Sequence, residues 1–190
     1  MAIYAWYMMS VMTLGNNRRV SKTTVWQCML VLLIMSFFSL PLYAQTCKKN
    51  APVSTPLSRF QIHKNGTISD KNSGLIWMRC SLGQTWDGKS CQGSPRNHTW
   101  PQANVEAANS HFAKRKWRLA SVAELSGIVE LHCENPAINL KIFPNTPASH
   151  YWTATAFINQ TSYHWLVHFR FGENHTDKDT AQAFVRLVSD

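Results

Sequence analysis

Apolar and polar residues alternate along several short segments of this chain, as they do in strands with one buried face. Phe60-Gln61-Ile62 alternates in this way, and Asn65-Gly66 after it is typical of a two-residue hairpin turn that leads back through Thr67-Ile68. The most regular alternation runs from Tyr163 to Phe171. The remaining segments predicted as strands are Leu75 to Met78, Tyr151 to Phe157 and Ala183 to Val188.

A first helix is predicted to begin at Thr99. Thr99 and Gln102 stand at the spacing of a capping box, in which each side chain bonds to the backbone of the other residue. Ala103 and Ala107 supply an apolar stripe at helical spacing. The basic run Lys114-Arg115-Lys116 is predicted to end the helix, where positive charge suits the helix dipole.

A second helix is predicted to begin at Ser121, which forms another capping box with Glu124. This helix would end near Cys133, because Pro136 prevents its continuation. Gly172 to Thr180 is predicted to be a polar connection between strands. Early strands, two helices and then further strands indicate an α+β fold, with the helices packed on a small, mainly antiparallel sheet that carries long loops.

Residues 1–44 have the features of a secretory signal peptide with a long n-region. Lys22 precedes the apolar run Val25 to Leu40, and Ala44 supplies a small residue at the predicted cleavage point. The run contains 16 residues, fewer than the ~20 that a helix needs to span a bilayer. Cleavage is therefore favoured over an uncleaved anchor. The length of the n-region is also consistent with translation from a later methionine.

The chain beyond the predicted signal peptide is basic. Residues 45–59 are predicted to form an extended arm, and residues 60–190 a single domain. This exported part keeps 16 of the 19 basic residues and all 10 acidic ones, a net charge of +6. Such a charge favours anionic partners. Nucleic acid is not expected among them because the protein is predicted to be secreted, periplasmic or on the cell surface.

Four cysteines follow the predicted cleavage point: Cys47, Cys80, Cys91 and Cys133. An even number in an exported chain indicates a disulfide framework, and four cysteines allow three pairings. Cys80 and Cys91 bracket a Gly-rich loop and are the favoured local pair, which leaves Cys47 to pair with Cys133. Free thiols or a zinc site are the alternatives, but no Cys-x-x-Cys pair favours zinc.

A series of short motifs begins at Gly74. In order they include Gly74-Leu75-Ile76-Trp77-Met78-Arg79-Cys80, Gly83-Gln84-Thr85-Trp86-Asp87-Gly88, Trp117-Arg118-Leu119, Pro136-Ala137-Ile138-Asn139, Tyr151-Trp152-Thr153 and Phe184-Val185-Arg186-Leu187-Val188. In this order and at these spacings they resemble the Lcl C-terminal-domain family, named after the distal domain of a secreted, collagen-like bacterial adhesin. The resemblance covers roughly Phe60 to Val188.

The resemblance implies a C-type-lectin-like fold and a role in adhesion. It also implies that Trp77, Trp117 and Trp152 are core residues. The namesake domain is trimeric, so a homotrimer is one expected assembly, although this chain has no collagen-like stalk to impose it. The chain departs from the family at the turn before Trp117, where a Gly-containing turn is more usual and this sequence has Lys114-Arg115-Lys116.

Two features are candidates for ligand binding. Trp86 lies between Cys80 and Cys91, beside Asp87-Gly88, and an exposed tryptophan can stack on a sugar ring. Lys114, Arg115 and Lys116 form a dense group of cations, which attracts sulfated or phosphorylated polymers. A solvated helix end is the alternative interpretation of the basic run.

No metal, cofactor or catalytic site is predicted. His164 and His168 share a strand face, but four residues of strand span about 13 Å, too far for two ligands of one metal. His150 and His175 have no recognisable partner in the sequence. The calcium-site motifs of lectins are absent, as are the Gly-x-Ser-x-Gly and His-Glu-x-x-His motifs of hydrolases, so an enzyme is not expected.

The sequence therefore favours a secreted or envelope module that binds anionic, sulfated glycans through Lys114, Arg115, Lys116 and Trp86, without calcium. Membrane contact is expected only through an uncleaved signal segment. The alternative is an envelope protein that docks on another exported protein and has no glycan ligand. An enzyme on a lectin-like fold is a third, less favoured hypothesis.

Overall fold

Short antiparallel strands and two helices make up the part of the chain that the structure describes. The structure is a computed structural model that describes residues 44–190, so the predicted signal segment, apart from Ala44, lies outside the described residues. In chain order the strands are β1 (Thr46–Cys47), β2 (Phe60–Ile62), β3 (Thr67–Asp70), β4 (Ile76–Met78), β5 (Thr85–Trp86), β6 (Cys91–Gln92), β7 (Arg118–Leu119), β8 (Cys133–Glu134), β9 (His150–Ala156), β10 (Tyr163–His168), β11 (Glu173–Lys178) and β12 (Leu187–Ser189). The α-helices are α1 (Trp100–Asn109) and α2 (Val122–Ser126), and one 3₁₀ turn each spans Leu57–Arg59 and Phe112–Lys114. The predicted α+β class is confirmed. Neither helix of residues 44–190 has the length and apolar character that crossing a membrane requires.

A five-stranded sheet in the order β2-β3-β4-β12-β7 forms the centre of the fold. The predicted hairpin joins β2 to β3, with Gly66 in the left-handed conformation (φ +84°) that its turn requires. The predicted apolar strand β4 pairs with β3 on one side and β12 on the other, and its Trp77 is only 1% exposed. Alternation and turn chemistry therefore predict β2, β3 and β4 correctly, whereas the predicted strand from Ala183 to Val188 is confined to Leu187–Ser189 and β7 was not predicted as a strand.

A three-stranded sheet in the order β11-β10-β9 packs beside it. Strands β9 and β10 were predicted from their apolar residues. The prediction that Gly172 to Thr180 is a connection is wrong, because Glu173–Lys178 is strand β11 and pairs with β10 along its whole length. Its residues are mostly exposed and polar, so this edge strand has no apolar alternation to reveal it.

Helix α1 begins as predicted and ends early. The Thr99 and Gln102 side chains each bond to the other's backbone N–H, which completes the capping box. The prediction that Lys114-Arg115-Lys116 ends this helix is wrong, since the helix stops at Asn109 and Ser110 is extended. Asparagine and serine side chains compete for backbone hydrogen bonds, which explains the early end.

Helix α2 is also shorter than predicted. Ser121 and Glu124 form the predicted capping box. The helix ends at Ser126 rather than near Cys133, because Gly127 follows and glycine is a poor helix former. The chain then turns, and Val129 forms an isolated β-bridge with Ile138.

Arg186 lies inside the core with none of its surface exposed. Its guanidinium donates hydrogen bonds to the backbone oxygens of Met78 and Arg79 and to the hydroxyls of Ser81 and Thr146. No carboxylate of the described residues is among the groups that perturb it, and burial lowers the pKa of Arg186 to about 10. The guanidinium thus ties its own segment to residues 78–81 and to Thr146 through neutral acceptors.

Both predicted disulfide bonds are present. Cys47–Cys133 joins the N-terminal arm to the segment after α2, and β1 pairs with β8 across the same bond. Cys80–Cys91 closes the loop that carries Trp86 and the β5–β6 hairpin. The arm is therefore held to the domain covalently as well as by strand pairing.

Candidate functional site

Trp86 is half-buried on β5 and is held from three sides. Its indole N–H donates a 3.0 Å hydrogen bond to the backbone oxygen of Lys64. The Arg79 guanidinium lies 4.3 Å from the ring centroid. A Cβ at Gly66 would lie 2.6 Å from the indole Cγ, so only glycine admits the ring at this position. The ring is thus pre-positioned before any ligand arrives.

The ring of Trp86 lines a cavity of about 270 Å³. Phe112, two residues before Lys114, also lines it. The rest of the lining comes mainly from the loop closed by Cys80–Cys91 and its neighbours: Gly66, Met78, Cys80, Ser81, Leu82, Gly83, Gln84, Thr85 and Ser110. The structure therefore brings Trp86 and Phe112 to a single cavity, although they are far apart in sequence, whereas the basic run itself is not part of the lining.

The basic run follows Phe112 in an exposed turn. Lys114 and Lys116 are exposed, whereas Arg115 is half-buried. The Arg115 guanidinium donates to a backbone oxygen of Asp190 at 2.8 Å and to the Ser189 hydroxyl at 3.3 Å. The three predicted cations therefore differ, because two are open to a ligand and Arg115 is already bonded within the protein.

Ala113 and Lys114 adopt left-handed backbone conformations, with φ of 52° and 57°. Residues with a side chain rarely occupy this region, which glycine adopts readily. Lys114 is therefore an exposed lysine in a strained backbone conformation, two residues after Phe112 of the cavity lining.

Arg118, which continues the basic segment, is engaged in ion pairs. Its guanidinium contacts Glu124 at 2.9 Å and Asp190 at 2.7 Å. The hydrogen bonds from Arg118 outweigh the opposing effect of burial and lower the pKa of Glu124 to about 2. Arg118 is thus a structural residue rather than a free cation.

Positive charge also lies beneath the cavity. Arg79 is 6% exposed and donates to the backbone oxygens of Ile142 and Lys141 at 2.8 and 2.9 Å. Arg186 donates to Ser81, a residue of the cavity lining. Within residues 44–190 neither guanidinium forms a salt bridge with a carboxylate, and burial lowers the pKa of both. An anion in the cavity would therefore be attracted by two positive charges that no carboxylate of the described residues neutralises.

A second cluster lies on the three-stranded sheet, away from this cavity's lining. His150, His168 and His175 each offer one ring nitrogen, and these atoms lie within 4.8 Å of one another. The expectation that His150 and His175 lack partners is wrong, because their partners lie across the sheet on neighbouring strands. Sequence spacing could not reveal the cluster, since β11 carries no apolar alternation.

Two comparisons with known proteins bear on this site. The family model described as the Lcl C-terminal domain matches residues 66–189. The matched segment includes Trp86, the basic run and all three clustered histidines. A comparison with curated proteins gives no match.

Proposed function

The chain belongs to the Lcl C-terminal domain family, and from that membership we propose that it is an adhesin-like binding module that recognises anionic, sulfated glycans without calcium. The family suggests a surface or adhesin-type module. Together with the two disulfide bonds it also suggests an extracellular or envelope protein, because disulfides persist in oxidising compartments. We also propose a C-type-lectin-like fold, which the α+β architecture with its long loops supports. The ligand proposal rests on a separate observation.

The observation that carries the ligand proposal is the position of Trp86. One side of its indole packs on the buried Arg79 guanidinium, and Trp86 lines a cavity together with Phe112, which precedes Lys114 by two residues. An aromatic ring beside cations suits a sugar that carries sulfate groups, since the ring stacks on the apolar face and the cations meet the charges. Sulfates would interact directly with these cations, so no calcium ion is needed as a bridge.

A salt series on two columns tests this proposal. The purified, oxidised protein is eluted from heparin and from a sulfonate cation exchanger of matched charge density. We expect later elution from heparin, because a shaped site adds to the generic attraction, and a steep dependence on salt in both cases. Equal elution from the two columns would contradict a glycan site and favour the alternative, docking on another envelope protein.

Charge-matched variants locate the site. Lys114→Ala/Lys116→Ala should remove most of the heparin preference, as should Trp86→Ala. Arg115 is left unchanged because its side chain is bonded to Ser189 and Asp190. Lys48→Ala/Lys49→Ala removes the same charge from the exposed arm and should lower retention equally on both columns. If the two lysine pairs behave alike, the assignment to this cavity is wrong.

A further inference from the structure

Three neighbouring strands place three histidines on one sheet face. His150 is the first residue of β9 and pairs directly with His168, the last residue of β10. His168 also pairs with Glu173 on β11, and His175 lies two residues further along that strand. Directly paired residues on antiparallel strands project to the same side, and so do residues two apart on one strand. Three separate strands therefore converge on one point.

The distances between the rings suit a shared ligand. The centroids of His150 and His168 are 4.1 Å apart, and His175 lies 5.3 and 5.8 Å from them. A zinc ion with bonds of about 2.0–2.1 Å to nitrogen would hold tetrahedral ligand atoms roughly 3.3 Å apart. The ring nitrogens lie within 4.8 Å of one another, so metal binding would draw the three rings closer together.

The surroundings of two of the three rings favour the neutral form of the imidazole. Burial lowers the pKa of His150, and the charge of His175 lowers it further. Burial also lowers the pKa of His168, assisted by its two histidine neighbours. No hydrogen bond from the described residues contributes to either shift. Neutral imidazoles with uncommitted lone pairs are the form that binds a metal ion.

The charges around the cluster favour a cation. Glu173 lies 3.5 Å from the Nε2 atom of His175, and Asp177 also contributes a negative field at His150. Arg170 opposes them through its effect on His168. A carboxylate beside a ligand histidine is a common partner that orients the ring and increases its basicity. A divalent ion would accept the lone pairs of the three imidazoles, and its positive charge would be attracted to the two carboxylates.

The other group of metal-binding residue types in the described chain has a different explanation. Cys47, His132 and Cys133 also lie within 4.8 Å of one another. Cys47 and Cys133 form a disulfide bond, so neither sulfur is a thiolate that could bind a metal. No covalent bond accounts for the closeness of the three histidine side chains.

The geometry points to a binding site for a divalent transition-metal ion of the zinc class, held by His150, His168 and His175. Three imidazoles suit Zn²⁺, Cu²⁺ and Ni²⁺, whereas Ca²⁺ and Mg²⁺ require oxygen ligands. Three protein ligands leave a fourth tetrahedral position for water or an external group. The site joins three strands, so bound metal would also fasten the edge strand β11 to the sheet.

Calorimetric titration with Zn²⁺ tests the site. The protein is untagged and oxidised, so that neither a tag nor free thiols can bind the metal. We expect one Zn²⁺ per chain, no response to Mg²⁺, and an affinity at least tenfold weaker in His175→Ala and in His168→Ala. His175 is exposed, so its substitution should leave the fold intact, which metal-free thermal unfolding checks. The matched control is His111→Ala, another exposed histidine outside the cluster, and it should bind as wild type does.

A Co²⁺ complex supplies a second readout. Its visible absorption bands report nitrogen coordination and should appear with the wild-type protein and be lost in His168→Ala/His175→Ala. Failure of the wild-type protein to bind Zn²⁺ would overturn the proposal. So would equal affinity in wild type and the double variant, because the metal would then bind elsewhere. Heparin retention should be the same in the histidine variants, which separates this site from the glycan proposal.

Discussion

Lys114 combines an exposed charge with a backbone conformation that suits glycine. A left-handed conformation costs a residue with a side chain roughly 1–2 kcal/mol, whereas a glycine increases the entropy of the unfolded chain by about 0.4–1 kcal/mol. The first effect is the larger at Lys114 (φ 57°). At Lys116, which has no left-handed backbone, only the second effect operates.

Substitution by glycine should therefore have opposite effects at these two lysines. Lys114→Gly is expected to raise the free energy of unfolding by about 0.5 kcal/mol, and Lys116→Gly to lower it by about 0.5–1 kcal/mol. Each variant removes one exposed charge, so each should weaken heparin retention. Denaturant unfolding and heparin elution of the two proteins give the comparison. A loss of stability in Lys114→Gly would show that the left-handed turn is not strained.

Among the elements, the N-terminal arm depends on Glu130. Its carboxylate accepts hydrogen bonds from the backbone N–H and hydroxyl groups of Ser54 and Thr55, and it contacts the His132 ring at 2.7 Å. Burial opposes ionisation, yet the hydrogen bonds from Thr55, Ser54 and His132 together outweigh it and lower the pKa of Glu130 to about 2. The arm thus binds the ionised form of Glu130.

This arrangement predicts a loss of stability in acid. The folded pKa of Glu130 is about 2 and lies below the ordinary value of 4.5, so the fold favours the ionised form. The resulting stabilisation is complete above about pH 4.5 and disappears as the pH falls towards 2. Denaturant unfolding at several pH values should show a shallower acid loss in Glu130→Gln, which is already less stable at neutral pH. Exposed Glu134 on β8 supplies the control, because Glu134→Gln should keep the wild-type pH dependence.

The elements also show how far the sequence predicts this fold. Both capping boxes, at Thr99 and at Ser121, were predictable because cap chemistry is local. Strand β11 was not predictable, because an exposed edge strand buries too little to need apolar residues. The histidine cluster was missed for that reason, since His175 lies on β11. The packing of Trp86 on Arg79 depends on how separate segments meet, which local patterns do not record.

For the whole molecule, the two disulfides close loops of very different length. Cys47–Cys133 spans 86 residues and Cys80–Cys91 spans 11. Loop-closure entropy predicts about 4.5 kcal/mol of stabilisation for the long loop and about 3 kcal/mol for the short one. Cys47–Cys133 should therefore contribute more to stability, whereas Cys80–Cys91 closes the loop that carries Trp86.

Paired cysteine variants should separate stability from ligand binding. Cys47→Ala/Cys133→Ala is expected to lose about 4–5 kcal/mol in denaturant unfolding and to retain the heparin preference. Cys80→Ala/Cys91→Ala is expected to lose about 3 kcal/mol and most of the heparin preference. Both measurements are made on oxidised protein, and heparin retention is measured under conditions in which each variant is folded. A larger stability loss from the short loop would mean that local packing, rather than loop entropy, dominates.

The absence of a side chain at position 66 has a consequence for the cavity. The Trp86 indole occupies the space that a Cβ at Gly66 would need, and that Cβ would lie 2.6 Å from the ring. Even the methyl group of Gly66→Ala would drive the indole away from the turn, and the ring also lines the cavity. The displaced ring would then leave the position in which Lys64 and Arg79 hold it. Position 66 thus sets the shape of the cavity through the ring for which it leaves room.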